Sequence, residues 1–177
     1  MKQIEIKKIL NTVIETVECF KEYQFIVAGA PNIELSYYTS IIKNKKIKVI
    51  ENKTYELLSV SYAAIVTSGT ATLETALFKV PQVVCYKSSY FSFVIAKLIV
   101  NIKYISLVNL IMDQEIVKEL IQHDCNKNKI TKATLLLVPK FPKIEVKSSY
   151  LTFNDFLWFK SRIFLSSLVI LSLLQSC

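Results

Sequence analysis

The sequence is poor in the side chains from which many active sites are built. His123 is the only histidine, and Cys19, Cys85, Cys125 and Cys177 are widely spaced with no C-x-x-C pair. A zinc site or a Cys–His nucleophile pair therefore has almost no material, and incidental thiols in a reducing compartment are the default. Arg162 is the only arginine, so residues 1–130 offer no bidentate arginine clamp for phosphate. No basic stripe interleaved with aromatics and no groove-reading motif is present, which argues against nucleic acid. The amino terminus, Met1-Lys2-Gln3-Ile4-Glu5, has no apolar signal core. Nothing there marks the chain for secretion, and a cytoplasmic protein is expected. The apolar run over residues 163–174 is shorter than the roughly 20 residues a membrane-spanning helix needs. There are only two glycines, Gly29 and Gly69.

What is present is apolar and basic. The 177 residues are 52% hydrophobic and 20% charged, enough for one domain with a real core. The net charge of +8 divides equally about residue 130, so the last 47 residues carry half of it. Ile6, Ile9, Leu10, Val13, Ile14 and Val17 recur at helical spacing and predict an amphipathic helix almost from the first residue. Short apolar runs at 24–28, 47–50, 63–66, 82–86 and 104–107 predict strands. Helices are expected between them, over 33–42, 54–61, from the turn at 68–70, and over 91–100. A turn at Val108-Asn109 and a helix from Asp113 to about Gln122 follow. Lys43, Lys45 and Lys46 read as a solvated loop or as part of an anion-binding surface.

This alternation predicts an α/β fold, a Rossmann-like parallel sheet with helices on both faces. Ligands of such sheets bind beyond the carboxyl ends of the strands. The loops at 29–32, 51–54, 68–70, 87–90 and 108–109 are expected to gather there. The stretch Val66-Thr67-Ser68-Gly69-Thr70-Ala71-Thr72-Leu73-Glu74 is the most informative. A strand enters a small-residue turn and a helix opens, so backbone N–H groups and the positive end of the dipole favour an anion. Glu74 lies about one turn in, where its carboxylate can accept from sugar hydroxyls; phosphate plus ribose implies a nucleotide. Read without its surroundings, the same stretch is also an ordinary N-cap with ordinary dipole complementation.

Beyond Thr131 the pattern lapses. Pro139 and Pro142 precede an aromatic cluster (Tyr150, Phe153, Phe156, Trp158, Phe159) and the apolar run at 163–174. A membrane-surface segment with Lys160 and Arg162 at the interface and an unplanned sequence without a packing surface are both open.

Four blocks in order carry a resemblance: Tyr23-Gln24-Phe25-Ile26-Val27-Ala28-Gly29-Ala30-Pro31, the Val66 to Glu74 stretch, Tyr104-Ile105-Ser106-Leu107-Val108-Asn109-Leu110-Ile111, and Glu115-Ile116-Val117-Lys118-Glu119-Leu120-Ile121-Gln122. Together residues 2–130 resemble the C-terminal half of the lipid-A-disaccharide synthase family. The resemblance implies one domain of a two-domain GT-B glycosyltransferase. Such an enzyme transfers 2,3-diacylglucosamine from UDP to 2,3-diacylglucosamine 1-phosphate, giving the β-1,6 disaccharide of lipid A at the cytoplasmic face of the inner membrane. It implies that Ser68, Gly69, Thr70 and Ala71 receive the UDP phosphates, that Glu74 holds the ribose, and that Asn109 stands in the donor-site turn. No metal or other cofactor is implied, because helix dipole and backbone donors can carry the diphosphate charge.

The departures shape the remaining expectations. The family's N-terminal domain, with its acyl-chain surface and catalytic base, has no counterpart here, nor has the first strand with its Gly-Ser-Arg turn. Val108 replaces a proline, and residues 131–177 do not match the family's charged C-terminal helices. The expected organisation is a truncated UDP-sugar-binding unit over 1–130 and a non-family, frameshifted tail over 131–177. An inactive remnant that at most binds UDP is the alternative, as is another GT-B-type UDP-sugar enzyme. A missing first strand is expected to leave its neighbour unpaired on one side.

Overall fold

The computed structural model describes residues 3–30, 32–43, 46–67, 69–87, 103–138 and 170–175. Helix α1 (Gln3–Ile14) buries Ile6, Ile9, Leu10 and Val13, the stripe its spacing predicts, and leads through a 3-10 turn at Val17–Cys19. Strand β1 (Tyr23–Ala28), helix α2 (Leu35–Ile41), strand β2 (Ile47–Ile50) and helix α3 (Thr54–Val60) follow. Then come β3 (Ala63–Val66), α4 (Gly69–Leu77) and β4 (Gln82–Tyr86). Beyond them lie α5 (Leu107–Met112), β5 (Lys118–Ile121), a 3-10 turn at Gln122–Asp124, α6 (Lys127–Leu137) and β6 (Ile170–Gln175).

The strands form one sheet in the order β2-β1-β6-β3-β4-β5. The pairs β1–β2, β3–β4 and β4–β5 are parallel. Side chains alternate across it, as the two-residue period of a strand requires. Phe25, Val27, Ala63, Ile65, Val83 and Cys85 join one core with α1, α2 and α6. Ile26, Ala28, Ala64 and Val66 join a second with α3 and α4. Helices thus cover both faces, as expected of a Rossmann-like domain. Cys85 and Cys125 are buried and Cys19 exposed, all as free thiols.

Three expectations are corrected. The strand expected over 104–107 and the turn at Val108-Asn109 do not form; residues 104–106 are not strand and 107–112 are helical, because the Ser106 side chain accepts from the Asn109 N–H and caps the turn. Asp113 does not start a helix; it takes the left-handed conformation (φ 49°) that ends α5. Residues 118–121 are strand, not helix, hydrogen-bonded in parallel to β4.

The sheet is also mixed. β6 runs antiparallel to both β1 and β3, with Ile26 and Ala64 opposite Ser172 on its two sides. The observed order is that of a doubly wound 3-2-1-4-5-6 sheet with β6 in the place of strand one. The unpaired strand side expected there is therefore filled. The division expected at residue 130 falls inside α6, which packs on β3, β4 and β5. The helix expected over 91–100 and the loop at 88–90 lie outside the described residues.

Candidate functional site

The carboxyl ends of β1, β2 and β3 carry the loops of interest. After β1, the Gly29 N–H donates to Ile50 O at 2.9 Å and the Ala30 N–H to the Tyr38 hydroxyl at 2.9 Å. A Cβ on Gly29 would stand 3.1 Å from the Tyr38 ring, so this tight passage needs the small residue. Burial pushes the Tyr38 phenol above its ordinary pKa. These contacts join the loops after β1 and β2 around an open cleft of about 620 Å³, lined by Gly29, Ala30, Asn32, Glu34, Glu51 and Asn52 among others. Two of the loops expected to meet at this edge do meet.

After β3 the chain enters α4. Gly69 and Thr70 are half-buried, Ala71 is fully buried, and Ser68 lies outside the described residues. The first N–H groups of α4 have no acceptor within the helix, the general condition of a helix start. Gly69 is small for a reason the sequence did not disclose. A Cβ there would meet Ile105 O at 3.2 Å, so the residue admits the loop before α5 to the head of α4.

Glu74 sits within α4 and is only 5% exposed. Its Oε1 accepts from the Tyr55 hydroxyl at 3.1 Å, while its buried Oε2 has no hydrogen-bond partner. Burial raises the Glu74 pKa, and the Tyr55 hydrogen bond partly offsets the rise. Burial, with the nearby Glu74 charge, pushes the Tyr55 phenol up to about 12. A buried carboxylate oxygen without a donor is a costly arrangement unless something supplies one.

Asn109 is elsewhere engaged. Its Nδ2 donates to Val117 O and to Glu119 Oε1, both at 2.8 Å. Its Oδ1 accepts from the Ile116 and Val117 N–H groups at 2.8 and 2.9 Å. Both amide hydrogens and both lone pairs are thereby committed. The fully buried side chain fastens the link between α5 and β5. Glu119 completes the brace: its Oε2 accepts from the Ile105 N–H at 2.8 Å and its Oε1 from the Ser106 N–H at 2.9 Å. The structure thus brings Gly69, Thr70, Ala71 and Glu74 onto one helix, with α5 packed against it. Tyr55 and Glu119 were not singled out from the sequence. Tyr55 sits one residue past a helix start and the spacing around Glu119 predicts a helix, so neither carries a usable signal.

A parallel-strand core with helices on both faces, loops joined at the carboxyl edge and an acceptor carboxylate on the helix after β3 define a Rossmann-like α/β domain, consistent with part of a GT-B glycosyltransferase. The model of a family described as Lipid-A-disaccharide synthetase matches residues 2–158, and the chain belongs to that family. A lipid-A-disaccharide synthase of Anaeromyxobacter dehalogenans (strain 2CP-C) is 33% identical over 133 residues, covering 71% of this chain and 35% of that protein. One from Persephonella marina is 34% identical over 145 residues, 76% of this chain and 38% of the relative. One from Wigglesworthia glossinidia brevipalpis reaches 45% over 91 residues, 51% and 24%. The chain thus spans about 35% of the length of the first of these relatives.

Proposed function

We propose that this chain is the donor-binding part of a lipid-A-disaccharide synthase. The activity is glycosyl transfer from UDP-2,3-diacylglucosamine to 2,3-diacylglucosamine 1-phosphate, forming the β-1,6 disaccharide in lipid A biosynthesis. Within the family, the observation that carries a nucleotide-sugar donor is the Glu74 carboxylate, with one buried oxygen lacking a hydrogen-bond partner on the helix after β3. Glu74 accepts from the ribose hydroxyls, and the turn at Ser68, Gly69, Thr70 and Ala71 receives the UDP phosphates through backbone N–H groups and the helix dipole. Asn109 acts on the donor indirectly, by fixing the loop that closes on Gly69. Residues 1–130 form the UDP-sugar-binding unit, with α6 and β6 completing its core and sheet. Contact with the cytoplasmic face of the inner membrane is peripheral; no helix among the described residues is long and apolar enough to cross it.

Glycosyl transfer between two lipid sugars needs donor and acceptor held in one geometry, which the two facing walls of a GT-B cleft supply. The 177 residues by themselves are therefore expected to bind UDP and to form no disaccharide, the behaviour of a binding remnant. Calorimetric titration with UDP and a radiolabelled disaccharide assay on the purified chain test both halves. Turnover by the chain alone would refute the two-wall requirement, and an absence of UDP binding would refute the donor site. Equal competition by UDP-N-acetylglucosamine and UDP-diacylglucosamine would favour another UDP-sugar enzyme of the same architecture.

A further inference from the structure

Tyr55 and Glu74 come from different βα units, yet they form one assembly. The Tyr55 ring lies flat on Phe78, with centroids 5.7 Å apart and planes inclined by 11°. Phe78 stands four residues after Glu74, and its N–H donates to the Glu74 carbonyl at 3.2 Å, so platform and carboxylate lie one helical turn apart on one face. The platform sets the phenol, and the phenol holds Glu74 Oε1 at 3.1 Å. A carboxylate held by one oxygen no longer spins freely, so its second oxygen points in one direction. That oxygen is the buried Oε2 without a partner.

We propose that Tyr55 is a positioning residue for the donor nucleotide: seated on Phe78, it fixes Glu74 so that Oε2 alone is presented to the hydroxyls of the ligand's sugar. This rests on the reading of Glu74 as the ribose acceptor. Tyr55 does not touch the ligand. Its effect reaches the nucleotide only through the orientation of Glu74, so it concerns the sugar hydroxyls and not the phosphates or the base.

That separation makes the inference testable on the 177-residue chain, with UDP and 2′,3′-dideoxyuridine diphosphate as probes. The wild type is expected to prefer UDP. Tyr55→Phe keeps the stacked ring and removes only the hydroxyl; it is expected to weaken UDP about tenfold and leave the dideoxy analogue unchanged. A purely structural role would weaken both probes alike. Glu74→Gln supplies the second arm of a double-mutant cycle, and the double variant is expected to bind UDP no worse than Glu74→Gln alone. Losses that add independently, or a Tyr55→Phe protein that discriminates as well as the wild type, would overturn the inference and leave the ribose reading intact. A wild type that does not distinguish the probes would overturn both.

Discussion

At the scale of single residues, the Glu74 carboxyl sets burial against ionisation. Burial raises its pKa above the ordinary 4.5 and the Tyr55 hydroxyl restores only part of the difference. Between the ordinary value and the raised one, the folded chain keeps a proton that the unfolded chain has released. Stability contributed by this group is therefore complete below about 4.5 and is lost as pH rises through the folded value. The expected outcome is that urea midpoints of the wild type fall relative to Glu74→Gln as pH is raised from 4 to 7. Asp124, lowered by its hydrogen bond and charge interaction with Lys129, is common to both proteins and cancels. Parallel curves across that range would show that Glu74 titrates as an exposed carboxyl. The position of Glu74 was legible in the sequence because a place one turn past a small-residue turn is a pattern. Tyr55 was not, because nothing local announces that a phenol 19 residues upstream will reach it.

At the scale of elements, the strands β1 to β4 were legible and β5 was not. β1 and β3 have runs of buried residues, with β4 close behind, as strands covered on both faces should. In β5 only Leu120 is buried among Lys118, Glu119 and Ile121, a mixture that equally fits one turn of an amphipathic helix. Pairing with β4 decides it, and pairing is a long-range event that local spacing does not encode. The same holds for β6, whose backbone partners are over 100 residues away. Because β6 lies between β1 and β3, its N–H groups serve a central position in the sheet. Proline is confined to edges and bulges for that reason. Ser172→Pro removes a ladder N–H at this central position and is expected to destabilise the fold by about 1–3 kcal/mol in denaturant unfolding. An unchanged midpoint would show that residues 170–175 do not hold the two parallel halves of the sheet together.

At the scale of the whole molecule, charge and exposed apolar surface act together. The chain carries a net +8, and Ile111, Met112, Ile116 and Leu136 are each more than half exposed. Lysines near an anionic leaflet gain about 1 kcal/mol each, a contribution that fades within a Debye length. That length shrinks from about 10 Å at 0.1 M salt to about 3 Å at 1 M. Exposed aliphatic side chains, by contrast, bind lipid without regard to salt. The donor and acceptor proposed above are both lipids, which are met at a membrane surface, and the two contributions predict different assays. Sedimentation with vesicles containing phosphatidylglycerol is expected to capture the chain at 0.1 M salt and to release most of it at 1 M, with little capture by phosphatidylcholine alone. Capture that resists 1 M salt would assign the contact to the apolar surface, and absence of capture at low salt would refute membrane contact by this chain.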